Sequence, residues 1–413
     1  MPSYDIAIVG AGPAGSSCAT LLSRAGLRVA LIDRAAFPRD KICGDGITPR
    51  GARALGRLGI LPKVMQVAQP NRGVTIRGGT GRSFTIGFDR DPEGPSDLLV
   101  IPRLVLDSLL LEHAQKAGAD FMAEVKVTEV RSSAADTAEI VDAQGGVVTA
   151  RLAVLATGAE SQLLRASGLL PGKPQLEHAA RAYFDDVDGL DENVTLFFDG
   201  VDMPGYGWIF PTGPRSANIG CGVFDRGGMR QAQRLAELIA HHPLLAPMLA
   251  RATQREPIRT YPLRTDFRPE FAGRAPRVCV GEAAGLVNPI TGEGIDYALE
   301  SAEFLAAAVG ARWRRDAGAI HAVVEDYRRR LRRRFALRFG VYRWIQQHCL
   351  TGANTAEFLD LVETSPDLRR ALVDGLFGRS RLSTYVRPQV LGPGLRMALG
   401  KRRVKHPSGA DAL

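Results

Sequence analysis

The chain has 413 residues, enough for two or three domains with cores of their own, and its 45% apolar and 23% charged composition is that of an ordinary soluble globular protein. No uncharged run reaches membrane-spanning length, and the five cysteines (Cys18, Cys43, Cys221, Cys279, Cys349) form no CxxC pair or metal spacing, which excludes a membrane-spanning protein, a disulfide scaffold and a zinc module. The net charge of +9 is uneven: residues 301–413 hold 21 Lys/Arg against 10 Asp/Glu, and the first 300 hold 32 against 34. A basic C-terminal third suits either a solvated helix face or an anionic membrane surface, and nucleic acid is not expected because no binding module accompanies the charge.

In chain order, Ile6-Ala-Ile-Val9 is a short apolar run without alternation, the pattern of a buried parallel strand. It opens almost at Met1, leaving no room for a signal peptide, so a cytoplasmic location is expected. Gly10, Gly12 and Gly15 follow, with Ala14 between them, and a helix runs from Pro13 to about Ala25. A second strand, 28–32, ends at Asp33. Strand, Gly-x-Gly-x-x-Gly, helix and a closing acid at this distance define a dinucleotide site, with phosphates on the helix N-terminus and the acid on a ribose. Only one such fingerprint occurs.

A Gly- and Pro-rich loop carries Lys41-Ile-Cys43-Gly44-Asp45-Gly46 and runs into a helix at about Gly51–Leu58. Residues 72–100 are strand-like and interrupt the βαβ order, as an inserted sheet would. Arg103-x-x-x-Asp107 opens a helix to about Lys116. A strand (Asp120–Val127), a hairpin-like stretch and the buried run Leu152-Ala-Val-Leu-Ala156-Thr-Gly158 come next. Residues 176–270 are again mostly strand, including Pro204-Gly-Tyr206-Gly-Trp208-Ile-Phe210-Pro211. Arg277-Val-Cys-Val-Gly281 is a returning parallel strand, followed by Glu282 and a helix from Gly292 to about Ala311. Residues 320–344 are a basic helical stretch, 355–400 hold further short helices, and the tail from Lys401 is polar and loose.

These elements predict an α/β nucleotide-binding unit assembled from residues 1–71, 101–170 and 273–311. A mostly antiparallel substrate sheet comes from 72–100 and 171–272, and a basic helical region from 312–413. The order of Gly-x-Gly-x-x-Gly, Arg103, Ala156-Thr-Gly158 and the junction 281–295 resembles the glutathione-reductase-like FAD proteins of the p-hydroxybenzoate hydroxylase type. Within that group the Lys41–Arg50 loop, Pro204–Pro211 and Gly281–Ile295 resemble the geranylgeranyl reductase family. The resemblance implies bound FAD and saturation of C=C bonds in an isoprenoid chain by hydride from the reduced flavin. NAD(P)H or another donor supplies the electrons.

It also implies roles. Gly10, Gly12, Ala14, Gly15, Asp33, Gly44, Arg103, Val127, Glu282, Gly294 and Ile295 would contact FAD, with Cys43 beside the ring. Glu282 stands where the family usually has Asp, one methylene shorter, so its ribityl contact is repositioned or made through water. Cys43, Tyr206 and Trp208 are the catalytic candidates, with Phe198 and Phe210 lining an apolar tunnel. Asp45 and Glu293 are the nearest carboxylates for a proton source, and either could instead cap a turn. Lys41 suits a pyrophosphate or a substrate head group. No metal is expected. The partners are a hydrophobic isoprenoid and, through the basic C-terminus, an anionic membrane on whose inner face the protein would lie peripherally. The alternative is a monooxygenase or halogenase of the same fold. Halogenases carry Trp-x-Trp-x-Ile-Pro, whereas the corresponding segment here is Tyr206-Gly-Trp208-Ile-Phe210-Pro211.

Overall fold

The computed structural model describes residues 3–78, 83–88, 95–134, 136–223, 228–313, 318–352 and 354–376. The expectations for the tail from Lys401 and for short helices beyond Leu376 lie outside the described residues.

The apolar runs without alternation become the centre of the first sheet, because only a strand covered on both faces can bury every side chain. Tyr4–Val9 lies between Val29–Ile32 and Val147–Leu155, parallel to both, with Ile8 opposite Leu31 and Val154. Arg277–Cys279 extends the sheet on one side and Asp120–Met122 on the other, again parallel. The hairpin Val127–Ala134 and Thr137–Asp142 pairs antiparallel to the outer half of Val147–Leu155. The helices Pro13–Arg24 and Ile295–Arg312 pack together on this sheet, with Arg103–Lys116 beside them.

The second sheet runs in the order Thr253–Gln254, Leu176–Asp185, Ser216–Val223, Gly205–Gly213, Asn193–Phe197, Gly73–Arg77, Ser83–Gly87. Every pairing is antiparallel except that of Asn193–Phe197 with Gly73–Arg77. The strands interrupting the βαβ order thus supply one edge of this sheet. A small third sheet of Gly46–Ile47, Leu98–Val100 and Gln69–Asn71 fixes the end of the Cys43 loop.

The basic stretch after residue 318 is two helices, Ala319–Leu331 and Leu337–His348, joined by one π turn at Arg332–Ala336. Its apolar side docks on the first unit: Tyr327 donates to the Cys279 carbonyl at 2.8 Å, and Phe335 and Phe339 pack edge-on against Phe267. Thr355–Thr364 and Pro366–Leu376 cover the edge of the second sheet, where Val362 and Leu368 bury Ile86. Among the described residues no helix is long and apolar enough to cross a membrane.

Candidate active site

The two sheets face one another across a cavity of about 810 Å³, inside the range of roughly 300–1,000 Å³ usual for cofactor and ligand pockets. At one end stands the dinucleotide fingerprint. Gly10 has φ +106°, and a Cβ there would strike the Ala156 carbonyl, so only glycine closes the turn from strand to helix. Gly12 and Ala14 border the cavity. Gly15 does not; it lies behind them, where a side chain would strike the Gly10 carbonyl. Asp33 accepts the Ala11 N–H (2.7 Å) and the Ala35 N–H (3.0 Å), which fixes its carboxylate in the cavity wall with acceptor capacity to spare.

Two guanidinium groups stand over Gly12. A Cβ on Gly12 would lie 3.7 Å from Arg39 Nη2 and 3.8 Å from Arg103 Nη2. Both arginines share one buried carboxylate, Asp107, which accepts from Arg103 at 2.6 and 2.7 Å and from Arg39 at 3.0 Å. Arg39 also stands 3.8 Å from Asp33, and the two guanidinium groups together with the start of helix Pro13–Arg24 favour an anion at the same point. Val127 also lines the cavity. An open glycine step, a paired cation cluster and a carboxylate with free lone pairs are what the ADP half of FAD requires, and the residues fit that group.

The loop Lys41–Gly46 forms the middle of the cavity. Lys41 donates to Glu282 Oε2 at 2.9 Å and lies over the Tyr261 ring, so its ammonium is held by Glu282 in the cavity wall. Burial works against the Lys41 charge, but Glu282 and Tyr261 together offset it and the pKa rises. Cys43 is half-buried; burial pushes its thiol up, and its Sγ accepts the Asp45 N–H at 3.3 Å. Gly44 lies against the rings of Trp208 and Phe210.

Alternation along Gly205–Gly213 sends Tyr206, Trp208 and Phe210 to the cavity face. With Phe198 they form an aromatic ladder with centroid spacings of 6.3, 6.1 and 6.2 Å. Trp208 lies over Gly220, where a Cβ would land inside the indole. The Tyr206 hydroxyl donates to the Thr291 carbonyl and so ties the sheet to the loop that precedes Gly294 and Ile295, both of which border the cavity.

Several residues that no sequence motif singles out hold this arrangement. Asn218 is wholly buried, accepts from Trp208 Nε1 (2.9 Å) and donates to the Cys43 carbonyl (2.7 Å) and Asp45 Oδ2 (2.8 Å). It joins the strand Gly205–Gly213 to the Lys41–Gly46 loop. Asp45 also accepts the Tyr183 hydroxyl; burial raises its pKa to about 6 against these two donors. Glu177 accepts from Thr265 and Gln346, both at 2.9 Å, and burial pushes it up to about 8. Gln346 belongs to helix Leu337–His348, which with Thr355–Thr364 closes the apolar end of the cavity through Tyr342, Ile345, Phe358 and Leu359. A buried polar residue in an alternating strand was the one available signal for Asn218. Glu177 and Gln346 are 169 positions apart and gave none.

Of the remaining candidates, the Gly292–Ile295 turn brings Glu293 and Asp296 to Arg50, 3.6 and 3.5 Å away. His242 accepts the Leu244 N–H beyond the end of helix Gly228–His241, and its ring contacts the Asp199 carbonyl, far from any ligand set. Among the described residues no group of three His, Cys, Asp or Glu is placed to hold a metal ion.

A protein family described as the FAD binding domain matches residues 3–336. The menaquinone reductase of Mycobacterium tuberculosis is 34% identical over 319 residues, covering 75% of this chain and 77% of the relative. Digeranylgeranylglycerophospholipid reductase 2 of Methanopyrus kandleri is 31% identical over 312 residues, covering 72% and 74%. A geranylgeranyl bacteriochlorophyll reductase-like protein from Thermoplasma acidophilum has the same fold, with a TM-score of 0.74 at 22% identity over 88% of this chain and 92% of that one. The protein is therefore a FAD-dependent oxidoreductase, and it belongs to the geranylgeranyl reductase family within the p-hydroxybenzoate hydroxylase-like flavoproteins.

Proposed function

We propose that this enzyme saturates C=C bonds in the isoprenoid chain of a hydrophobic substrate such as a prenyl-quinone or a prenyl lipid. The observation that carries the reading is continuity: one cavity joins the dinucleotide cradle to an apolar end walled by the aromatic ladder and by C-terminal helices. The two reductase relatives support it. An isolated alkene has no polar handle, so what it needs from a protein is a dry, shaped channel that fixes it over the hydride donor. FAD, reduced by NAD(P)H or another donor, would supply the hydride.

The rest falls to the chain. Gly10, Gly12, Asp33, Arg39 and Arg103 hold the ADP half, and Val127 lines the same end. The Glu282 carboxylate, held by Lys41, is left to contact the sugar-alcohol chain. Cys43 and Gly44 would bring the loop against the ring, and Gly294 and Ile295, which border the same cavity, would offer it backbone N–H groups. Trp208 and Phe210 orient the prenyl chain, and Tyr206 locks the sheet to the loop at Thr291. The basic C-terminal third supports delivery from an anionic bilayer, and salt-sensitive co-sedimentation with anionic vesicles tests that part.

The central experiment is a single turnover without oxygen. Flavin reduced anaerobically should be reoxidised by a prenyl-quinone or a geranylgeranyl lipid, and the product should gain two hydrogens per saturated bond. Reoxidation by O₂ alone, with an oxygenated or halogenated product, overturns the reading in favour of a monooxygenase or halogenase.

A further inference from the structure

Saturating a double bond requires a proton as well as a hydride. Among the acids of the cavity wall, Asp33 and Glu282 belong to the dinucleotide end, and Glu177 is 2% exposed with one oxygen taken by both Thr265 and Gln346. Four acids around the aromatic ladder are left to weigh. Asp45 borders the cavity but is wholly buried, and its Oδ2 is filled by Tyr183 and Asn218, two donors that favour its ionised form. The Tyr206 proton is committed to the Thr291 carbonyl, and burial holds that phenol far above neutrality. The Cys43 thiol is likewise pushed up by burial. Glu293 differs from all three. It borders the cavity from the tight turn between Gly292 and Gly294, and its side chain remains 17% exposed.

What stands behind Glu293 decides its charge. Arg50 is the cation shared by two carboxylates, Glu293 at 3.6 Å and Asp296 at 3.5 Å, and its guanidinium stacks 4.0 Å over the Tyr297 ring. Glu300, one turn further along the same helix as Asp296, is taken by Arg334 at 2.5 Å. From the sheet side, the neighbour is Tyr206, which is neutral. A single guanidinium cannot neutralise two carboxylates in a wall of low dielectric, so the pair keeps one proton. Burial raises the pKa of Asp296 as well, since it is only 2% exposed, but Arg50 and the Thr48 hydroxyl that it accepts both favour its ionised form. The proton therefore rests on the member facing the cavity, and burial followed by the Asp296 charge places the Glu293 pKa at about 8.

We propose that Glu293 is the acid that protonates the substrate carbon, a role that rests on the alkene-reductase reading above. As hydride adds to one alkene carbon, the π pair takes the Glu293 proton at the other. Two C–H bonds form, and the C=C π bond, the Glu293 O–H bond and the bond between the hydride and its donor break; the hydride's two electrons would come from reduced FAD. The carboxylate left behind sits 3.6 Å from Arg50, which stabilises it until a proton returns from solvent.

The test is Glu293→Gln, which keeps the shape and removes the proton. The variant should bind FAD and be reduced by dithionite as the wild type is. Its reoxidation by a geranylgeranyl lipid should fall by on the order of 10²-fold or more. In the wild type that step should slow above pH 8, and the infrared band of a protonated carboxyl should titrate over the same range and be missing from Glu293→Gln. Asp296→Asn provides the second variant. With one carboxylate left for Arg50, Glu293 ionises more easily, and the alkaline limb should move to lower pH. Wild-type reoxidation rates in Glu293→Gln, or a limb unmoved in Asp296→Asn, overturn the assignment. A wild type that reduces no alkene at all would instead refute the reductase reading, with Glu293 still carrying or lacking its infrared band.

Discussion

Asn218→Ala probes the joint between the two sheets most directly. The side chain makes three hydrogen bonds, at 2.9 Å to Trp208, 2.7 Å to Cys43 and 2.8 Å to Asp45, and is wholly buried. Truncation leaves an indole N–H, a backbone carbonyl and a carboxyl oxygen without that partner. A buried polar group left unpaired costs about 1–3 kcal/mol. Taking the low end for each, the loss is about 3 kcal/mol. An unfolding entropy of roughly 2.1 cal/mol/K per residue makes 1 kcal/mol worth about 1 °C for a chain of this length. The melting temperature at fixed excess FAD should therefore drop by about 3–4 °C.

The same change frees the Cys43–Asp45 loop, so flavin fluorescence should rise along with the loss of stability. It also removes a donor that holds the Asp45 pKa down, so Asp45 should titrate above its present value of about 6. The control is Arg215→Ala, whose partners Asp186 and Asp188 are both 3.5 Å away across an exposed ion-pair cluster, and whose melting temperature should not change measurably. A drop below 1 °C for Asn218→Ala, with unaltered flavin fluorescence, would refute the claim that this amide holds the loop to the sheet.

Other substitutions test the remaining parts. Asp33→Ala removes the acceptor of the Ala11 and Ala35 N–H groups, so the protein should be isolated with less FAD while its apo fold, read by circular dichroism, persists. Trp208→Ala empties a site 6% exposed; it should cost about 3–5 kcal/mol and slow turnover with FAD still bound, and a FAD-free variant would contradict its place in the substrate wall. Glu177 is neutral in the fold up to about pH 8, whereas in the unfolded chain it ionises near 4.5. The folded state thus holds the extra proton between these values, and stability should fall as pH rises through that window. Glu177→Gln should match the wild type at pH 4 and exceed it at pH 9, and equal pH profiles by denaturant unfolding would refute the assignment.

Much of the cofactor end was legible from the sequence because its determinants are local. A short apolar strand, glycines at fixed offsets, a helix start and an acid some twenty residues on must lie together whatever the rest of the chain does. The period-two alternation of Tyr206, Trp208 and Phe210 likewise fixed which side chains share a face of one strand. What alternation could not fix was what that face looks toward. Only the tertiary structure brought it against Gly44, hung it on Asn218, and closed the far end with helices more than a hundred residues later.

The charges divide in the same way. The sequence placed Glu293 and Asp296 in one turn, but not that Arg50, over two hundred residues away, would be their common cation. Nor did it show that Lys41 would be held by Glu282, or that Asp45 would be wholly buried beneath Tyr183 and Asn218. Burial and pairing set the protonation of an acid, and both are sums over neighbours distant in sequence. The chain by itself therefore determined the cradle for the dinucleotide, and the packing of the two sheets decided which acids border the cavity and which cation they share.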